Sequence, residues 1–213
     1  MSLQSAFPFV FNFLPPKAVV VEVSNEALSS DGGLIPIRQF DEQIGFTSQI
    51  AEALEDHRDA NLTAHTFVSM IRQRLFGILA DYEDQNDHEF LRRDPVFKMI
   101  AGRSPDDPKH LAGQSTLSRF ENSIRAKDLQ RLRDVLLDQF IASFQTRPAQ
   151  ITIDIDAFDD PTHGQQQLTF FHGYYKQFQY LPIIATCEEN DQVMLVGLRH
   201  GTCKPSPGAD DDL

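Results

Sequence analysis

The chain of 213 residues contains no tryptophan and only two cysteines, Cys187 and Cys203. No CxxC pair occurs, so neither a disulfide framework nor a structural zinc site is indicated. No apolar run approaches the ~20 residues that a membrane helix needs. The opening MSLQSAFPFVFNFLPP is apolar and aromatic, but no basic residue precedes Lys17, and Pro8, Pro15 and Pro16 interrupt it. A signal peptide is therefore disfavoured, and a soluble, cytoplasmic protein is the expectation. Basic residues are scarce as well: 19 Lys and Arg against 31 Asp and Glu give a net charge of −12. Taken alone, that sum argues against a nucleic-acid partner.

The charge is unevenly placed. Between Arg92 and Arg133 stand ten Lys and Arg against five acids, whereas from residue 151 onward three basic residues face ten acids. A basic middle and an acidic end follow. Basic helices are commonly plain solvated faces, and the alternative is a surface that meets DNA phosphates, with Arg119, Arg125, Lys127 and Arg131 as its candidates.

At 41% hydrophobic, the chain has enough apolar residues for a core. AVVVEVS (18–24) reads as a strand and SSDGG as a turn. From Arg38 to Gln145 the pattern is helical. DEQIGFTSQIAEALEDH places Ile44, Ile50, Ala51 and Leu54 near helical spacing, and TAHTFVSMIRQRLFGILADY carries an apolar stripe of Phe67, Met70, Ile71, Leu75, Ile78 and Leu79. Two short pieces, NDHEFLRR and PVFKMIAG, lead into the loop GRSPDDPKH. STLSRFENSIR offers Ser118 with Glu121, or Ser115, as a helix cap. KDLQRLRDVLLDQFIASFQ points Leu129, Leu132, Leu136, Phe140 and Phe144 inward, and Pro148 closes the helical region. Residues 1–37 thus read as an arm with a short strand, 38–148 as a helical region that holds the DNA-binding candidates, and 149–213 as a β-containing domain. Helices followed by strands indicate an α+β chain. The strands read as a three-strand antiparallel meander, in which His172, Tyr174, Tyr175 and Tyr180 are packing residues.

The meander opens on ITIDIDAFDDPTHGQQQ, residues 151–167. Alternation predicts that Ile151, Ile153 and Ile155 face a core while Asp154 and Asp156 share the other face. Like charges side by side are unfavourable unless solvent or a cation offsets them. A salt-bridged surface has only Lys176 nearby in sequence, and an EF-hand calcium loop lacks its Gly and terminal Glu. A hard divalent cation, Mg2+ or Mn2+, suits carboxylate oxygens.

These residues also carry a resemblance. DIDAFDDPTHGQQQLTFFHGYYKQFQYLPI, together with YEDQNDHEFLRRDPVFKMIAGR and LAGQSTLSRFEN, resembles the DDE transposases of bacterial insertion sequences, group-one DDE domain, from about Gly33 to Arg199. The resemblance implies a helical N-terminal region followed by a ribonuclease-H-like domain, of which this chain holds the first three antiparallel strands and is incomplete at the C-terminus. It implies magnesium-dependent DNA strand cleavage and transfer in the complete protein, with insertion-sequence ends and target DNA as partners and with self-association. Asp156 is then the candidate first catalytic carboxylate and Asp154 a further metal ligand. The family's hydroxyl residue after the small one is here Phe158, which keeps Asp154 open as the alternative. Asp159, Asp160 and His163 match the family pattern, but a turn with local hydrogen bonds accounts for them better. The second Asp and the Glu of the family triad are missing, since Asp210, Asp211 and Asp212 lie in a terminal tail. That leaves a catalytically inactive DNA-binding or multimerising fragment as one reading. An unrelated metal-dependent phosphohydrolase would need a fuller ligand set.

Overall fold

The earliest helix stops where glycine takes a left-handed turn. α1 (Leu34–Ile44) ends at Gly45, φ 69°, whose N–H bonds to the Asp41 carbonyl at 2.7 Å, and α2 (Phe46–Ala53) begins immediately after. Gly is favoured there because a Cβ is strained at that φ. The computed structural model describes residues 9–21, 30–59, 62–164, 166–167 and 169–203. It divides into two units, Met1–Leu129 and Gln130–Leu213.

In the first unit, β1 (Phe9–Phe11) pairs antiparallel with β2 (Val19–Val21). The strand expected over 18–24 is therefore β2 at residues 19–21, and residues 22–24 lie outside the described set. α3 (Phe67–Leu79) starts at Thr66, whose hydroxyl accepts the Ser69 N–H. A short 3-10 turn (Gln85–Asp87) leads into α4 (His88–Leu91), and α5 (Pro95–Ile100) follows. α5 begins with two independent start signals. Asp94 accepts the N–H groups of Val96 and Phe97, and Pro95 sits in the first turn, where no N–H is needed. α6 (Gln114–Glu121) is different. Neither Ser115 nor Ser118 caps it: both lie inside the helix, and Glu89 Oε1 accepts the Gln114 N–H at 2.9 Å from 25 residues away. α7 (Ala126–Ala142) contains the division between the units.

The core of the first unit gathers Phe13, Val19, Leu34, Ile35, Phe76, Leu91, Val96, Phe97, Ile100 and Leu111. The stripe expected on α3 is rotated. Met70 and Ile71 are buried as read, but Gln73, Phe76 and Gly77 are buried too, while Ile78 and Leu79 are exposed. Gln73 turns inward because its amide donates to the Ala112 carbonyl at 2.8 Å and contacts His88 Nδ1 at 3.2 Å. A buried polar group needs such partners. A second polar anchor stands on α1. Arg38, 1% exposed, pairs with Asp41 at 3.2 Å and Glu42 at 2.5 Å, and donates to the Ile100 carbonyl. Asp41 in turn accepts the N–H and hydroxyl of Thr47, which fixes the α1–α2 break.

The second unit holds the C-terminal part of α7 and the strands β3 (Ile153–Ala157), β4 (Asp160–Pro161), β5 (Phe170–His172), β6 (Gln177–Tyr180), β7 (Ile183–Cys187) and β8 (Gln192–Gly197). On α7, Leu129 of the first unit is exposed rather than inward, whereas Val135 and Phe140 are buried. The strands form two antiparallel three-stranded sheets, ordered β3-β7-β8 and β4-β6-β5. The expected single meander is thus corrected to two sheets, and the cause is local. Ala157 faces Ile183 and Asp160 faces Tyr180, so the same register runs through both β3–β7 and β4–β6. The sheets are successive lengths of one long hairpin, interrupted at Pro182, which has no N–H to give. Its carbonyl still accepts the Phe158 N–H at 3.2 Å. A mainly helical first unit and a second unit rich in antiparallel strands make the chain α+β.

Candidate functional site

β3 is an edge strand, paired only with β7 among the described residues. Its alternation is as read: Asp154 and Asp156 lie opposite Thr186 and Ile184, and Ile153 and Ile155 lie opposite Cys187 and Ala185. Cys187, Ala185 and Ile183 are at most 1% exposed, so the isoleucines share the inner face of the sheet. They do not reach a closed core. Ile151, Ile153 and Ile155 are 37–38% exposed, because a strand with a neighbour on one side only leaves its flank open. Asp154 and Asp156 flank Ile155 symmetrically, so β3 itself favours neither as the more central.

Both aspartates are exposed. Asp156 Oδ1 accepts the N–H of Ala157 at 2.8 Å, which orients that carboxylate along the strand and leaves its other oxygen available. Asp159 Oδ2 accepts the Gln177 amide at 3.0 Å, and the Asp160 backbone pairs in β4 with that of Tyr180. Among the described residues no three His, Cys, Asp or Glu converge into a metal-holding group. Asp210, Asp211 and Asp212 lie outside those residues. The donor set is therefore two hard carboxylates on one exposed face. That suits Mg2+ or Mn2+, which binds through one or two carboxylates and completes its shell with water and phosphate oxygens.

At the other end of β3, Glu189 accepts the Thr152 N–H and hydroxyl at 2.9 Å and the Cys187 thiol at 3.0 Å. The Thr152 N–H, followed by the thiol, holds this carboxyl down at about 2. Burial and then the same hydrogen bond push the Cys187 thiol up. Glu189 is a clasp that the sequence did not single out, because its partner Thr152 stands across the hairpin.

The basic candidates separate. Arg119 and Arg125 are exposed in the first unit, where, among the described residues, Arg119 donates to the Ser115 carbonyl and the Thr116 hydroxyl, at 3.1 and 3.4 Å. Lys127 is committed to Glu55 at 2.5 Å. Arg131 lies half-buried in the second unit. Arg119 and Arg125 border a cleft of about 780 Å³ that Arg58, His65, Phe67 and Phe120 also line. Arg58 falls outside the basic window read from sequence, and no local pattern connects its loop with α6. His65 is shifted below its ordinary value by burial first and by Arg103 second.

Among the described residues no helix is long and apolar enough to cross a membrane. Comparison with curated proteins and with solved structures finds no match. The model of the family described as transposase DDE domain group 1 matches residues 11–213, nearly the whole chain and including every candidate residue above, and the chain belongs to that family.

Proposed function

We propose that the chain serves DNA transposition of an insertion sequence, with a ribonuclease-H-like second unit in which β3 carries the first metal-binding carboxylate. The observation that carries this reading is the pair Asp154 and Asp156 on the exposed face of β3, in antiparallel register with β7. Asp156, one of whose oxygens accepts the Ala157 N–H, would hold the cation. Asp154, two residues away on the same face, supplies the second carboxylate. Bound there, Mg2+ or Mn2+ provides the Lewis acid that phosphodiester chemistry uses. The protein's part is to present two carboxylates to solvent and DNA on a strand pinned by β7. Further carboxylates complete the family triad in the transposition reaction, so β3 alone stands as half of a centre. Arg119 and Arg125 contact DNA phosphates, with Lys127 and Arg131 as weaker contributors because of their pairing and burial. The DNA-binding, non-catalytic reading differs from this one only at β3.

Titration with Mn2+ followed by 1H–15N NMR separates the two. Paramagnetic broadening is expected at the amides of Asp154 to Ala157, abolished by Asp156→Asn and weakened by Asp154→Asn. Broadening spread evenly over the acidic surface, unchanged in both variants, would refute the metal-binding role of β3.

A further inference from the structure

We infer that the cleft in the first unit is a nucleotide site, taking one base and its phosphate from a single-stranded segment or a free nucleotide. The proposal rests on the DNA reading for its choice of ligand and on the cleft itself for everything else. At about 780 Å³ the cavity falls within the ~300–1,000 Å³ of small-ligand pockets. Its floor is apolar. Met70 and Phe120 line it beside Phe67, and the two phenylalanine rings stand 5.0 Å apart, tilted by 57°.

One wall is flat and cationic. The Arg58 guanidinium carbon lies 4.4 Å from the Phe67 ring centroid, and Asp56 holds the same group by two hydrogen bonds of 2.7 and 2.6 Å. A guanidinium fixed in this way is a stacking platform for a base. The rim supplies charge of the sign a phosphate needs. Arg119 and Arg125 have no carboxylate partner among the described residues. Three acids share the lining, Glu55, Asp59 and Asp128, and none of them forms an ion pair with Arg119 or Arg125. Glu55 is taken by Lys127 and lies 3.3 Å from His57, and Asp128 accepts the Arg125 N–H at 2.8 Å. Thr116, Asn122 and Ser123 add polar groups that can meet a sugar or a base edge. Aromatic floor, stacking wall and two guanidinium groups outside any ion pair match a nucleotide better than an apolar ligand or a cation.

The test uses the full chain with thymidine 5′-monophosphate, a fluorescein-labelled oligothymidine and a duplex of equal length. Ala64 lines the cleft, is exposed, and carries no charge. Ala64→Trp should therefore fill the space and weaken oligothymidine binding about tenfold by anisotropy, the scale of one lost stacking contact. Arg119→Gln with Arg125→Gln should weaken it at least as much. Monophosphate-induced NMR shifts should map to Thr63, His65, Phe120 and Ser123. Should Ala64→Trp fail to fold by circular dichroism, the arginine pair and the shift map decide. Monophosphate binding without oligothymidine binding assigns the cleft to a free nucleotide. Loss of duplex binding alone, with monophosphate shifts intact, removes the DNA reading and leaves the site. Unchanged affinities in Ala64→Trp, or shifts outside the cleft, overturn the proposal.

Discussion

Acid should loosen the first unit through one buried histidine. His88 is fully buried, with Nδ1 3.2 Å from the Gln73 amide and Nε2 3.4 Å from the Arg74 guanidinium. Burial first, and the Arg74 charge second, lower it from 6.5 to about 4. The fold therefore prefers the neutral ring, while the unfolded chain takes up a proton below pH ~6.5. The unfolded state then binds more protons between pH 6.5 and about 4, so stability falls as pH falls through that window. Each unit of pH costs about 1.4 kcal/mol there, to an upper bound of about 3 kcal/mol. Urea denaturation between pH 7.5 and 5.0, followed by far-UV circular dichroism because the chain has no tryptophan, measures it. His88→Gln keeps a neutral polar group in place and removes the titration. The wild-type chain should lose about 1–2 kcal/mol more than the variant on reaching pH 5.0. His65 and His110 are also lowered, but they are common to both proteins and cancel in the difference. A constant gap between the two proteins across this range would refute the argument.

Other outcomes can be checked by ordinary means. Charge reversal at Arg119 and Arg125 should lower DNA affinity and reduce the salt slope by about 0.9 per lost phosphate contact, measured by anisotropy against salt; reversal at Lys127, already held by Glu55, should do less. Gly201→Ala should strip hydrogen-exchange protection from β6, since a Cβ there would stand 2.0 Å from the Gln179 carbonyl and 2.7 Å from that of Phe170. Gly77→Ala should destabilise by about 1–3 kcal/mol in urea melts, because its methyl would press on His88 Cε1 at 3.0 Å. Self-association through the open flank of β3 should appear in sedimentation velocity and vanish in Ile155→Lys, as a lysine blunts an edge strand.

What could be read beforehand follows from the range of the interactions involved. Asp94 and Pro95 announce α5 because cap and first turn are sequence neighbours. The β3 alternation is equally local, and it separated the aspartates from the isoleucines correctly. The cap of α6 could not be read, since Glu89 reaches Gln114 only after the chain has folded back. The α3 stripe misled for a related reason: apolar periodicity does not register Gln73, whose burial depends on Ala112 and His88. Pro182 was visible, but its effect was not, because an interrupted hairpin and two separate strands share one composition. The cleft was hidden most deeply. Arg58, Phe67 and Phe120 come from a loop and two helices, and no spacing rule joins them.

The hairpin that runs through Pro182 imposes a counting rule on this region. Residues 153–157 and 160–161 keep one phase against 183–187 and 179–180 across the interruption. A single residue inserted between Ala157 and Asp160 would shift everything beyond it by half a pleat, turning Asp160 to the opposite surface. Only a matching insertion between Tyr180 and Ile183 would restore the alignment. Sequence variation at Phe158, Asp159, Leu181 and Pro182 can therefore proceed by substitution one residue at a time, whereas changes of length must come in pairs.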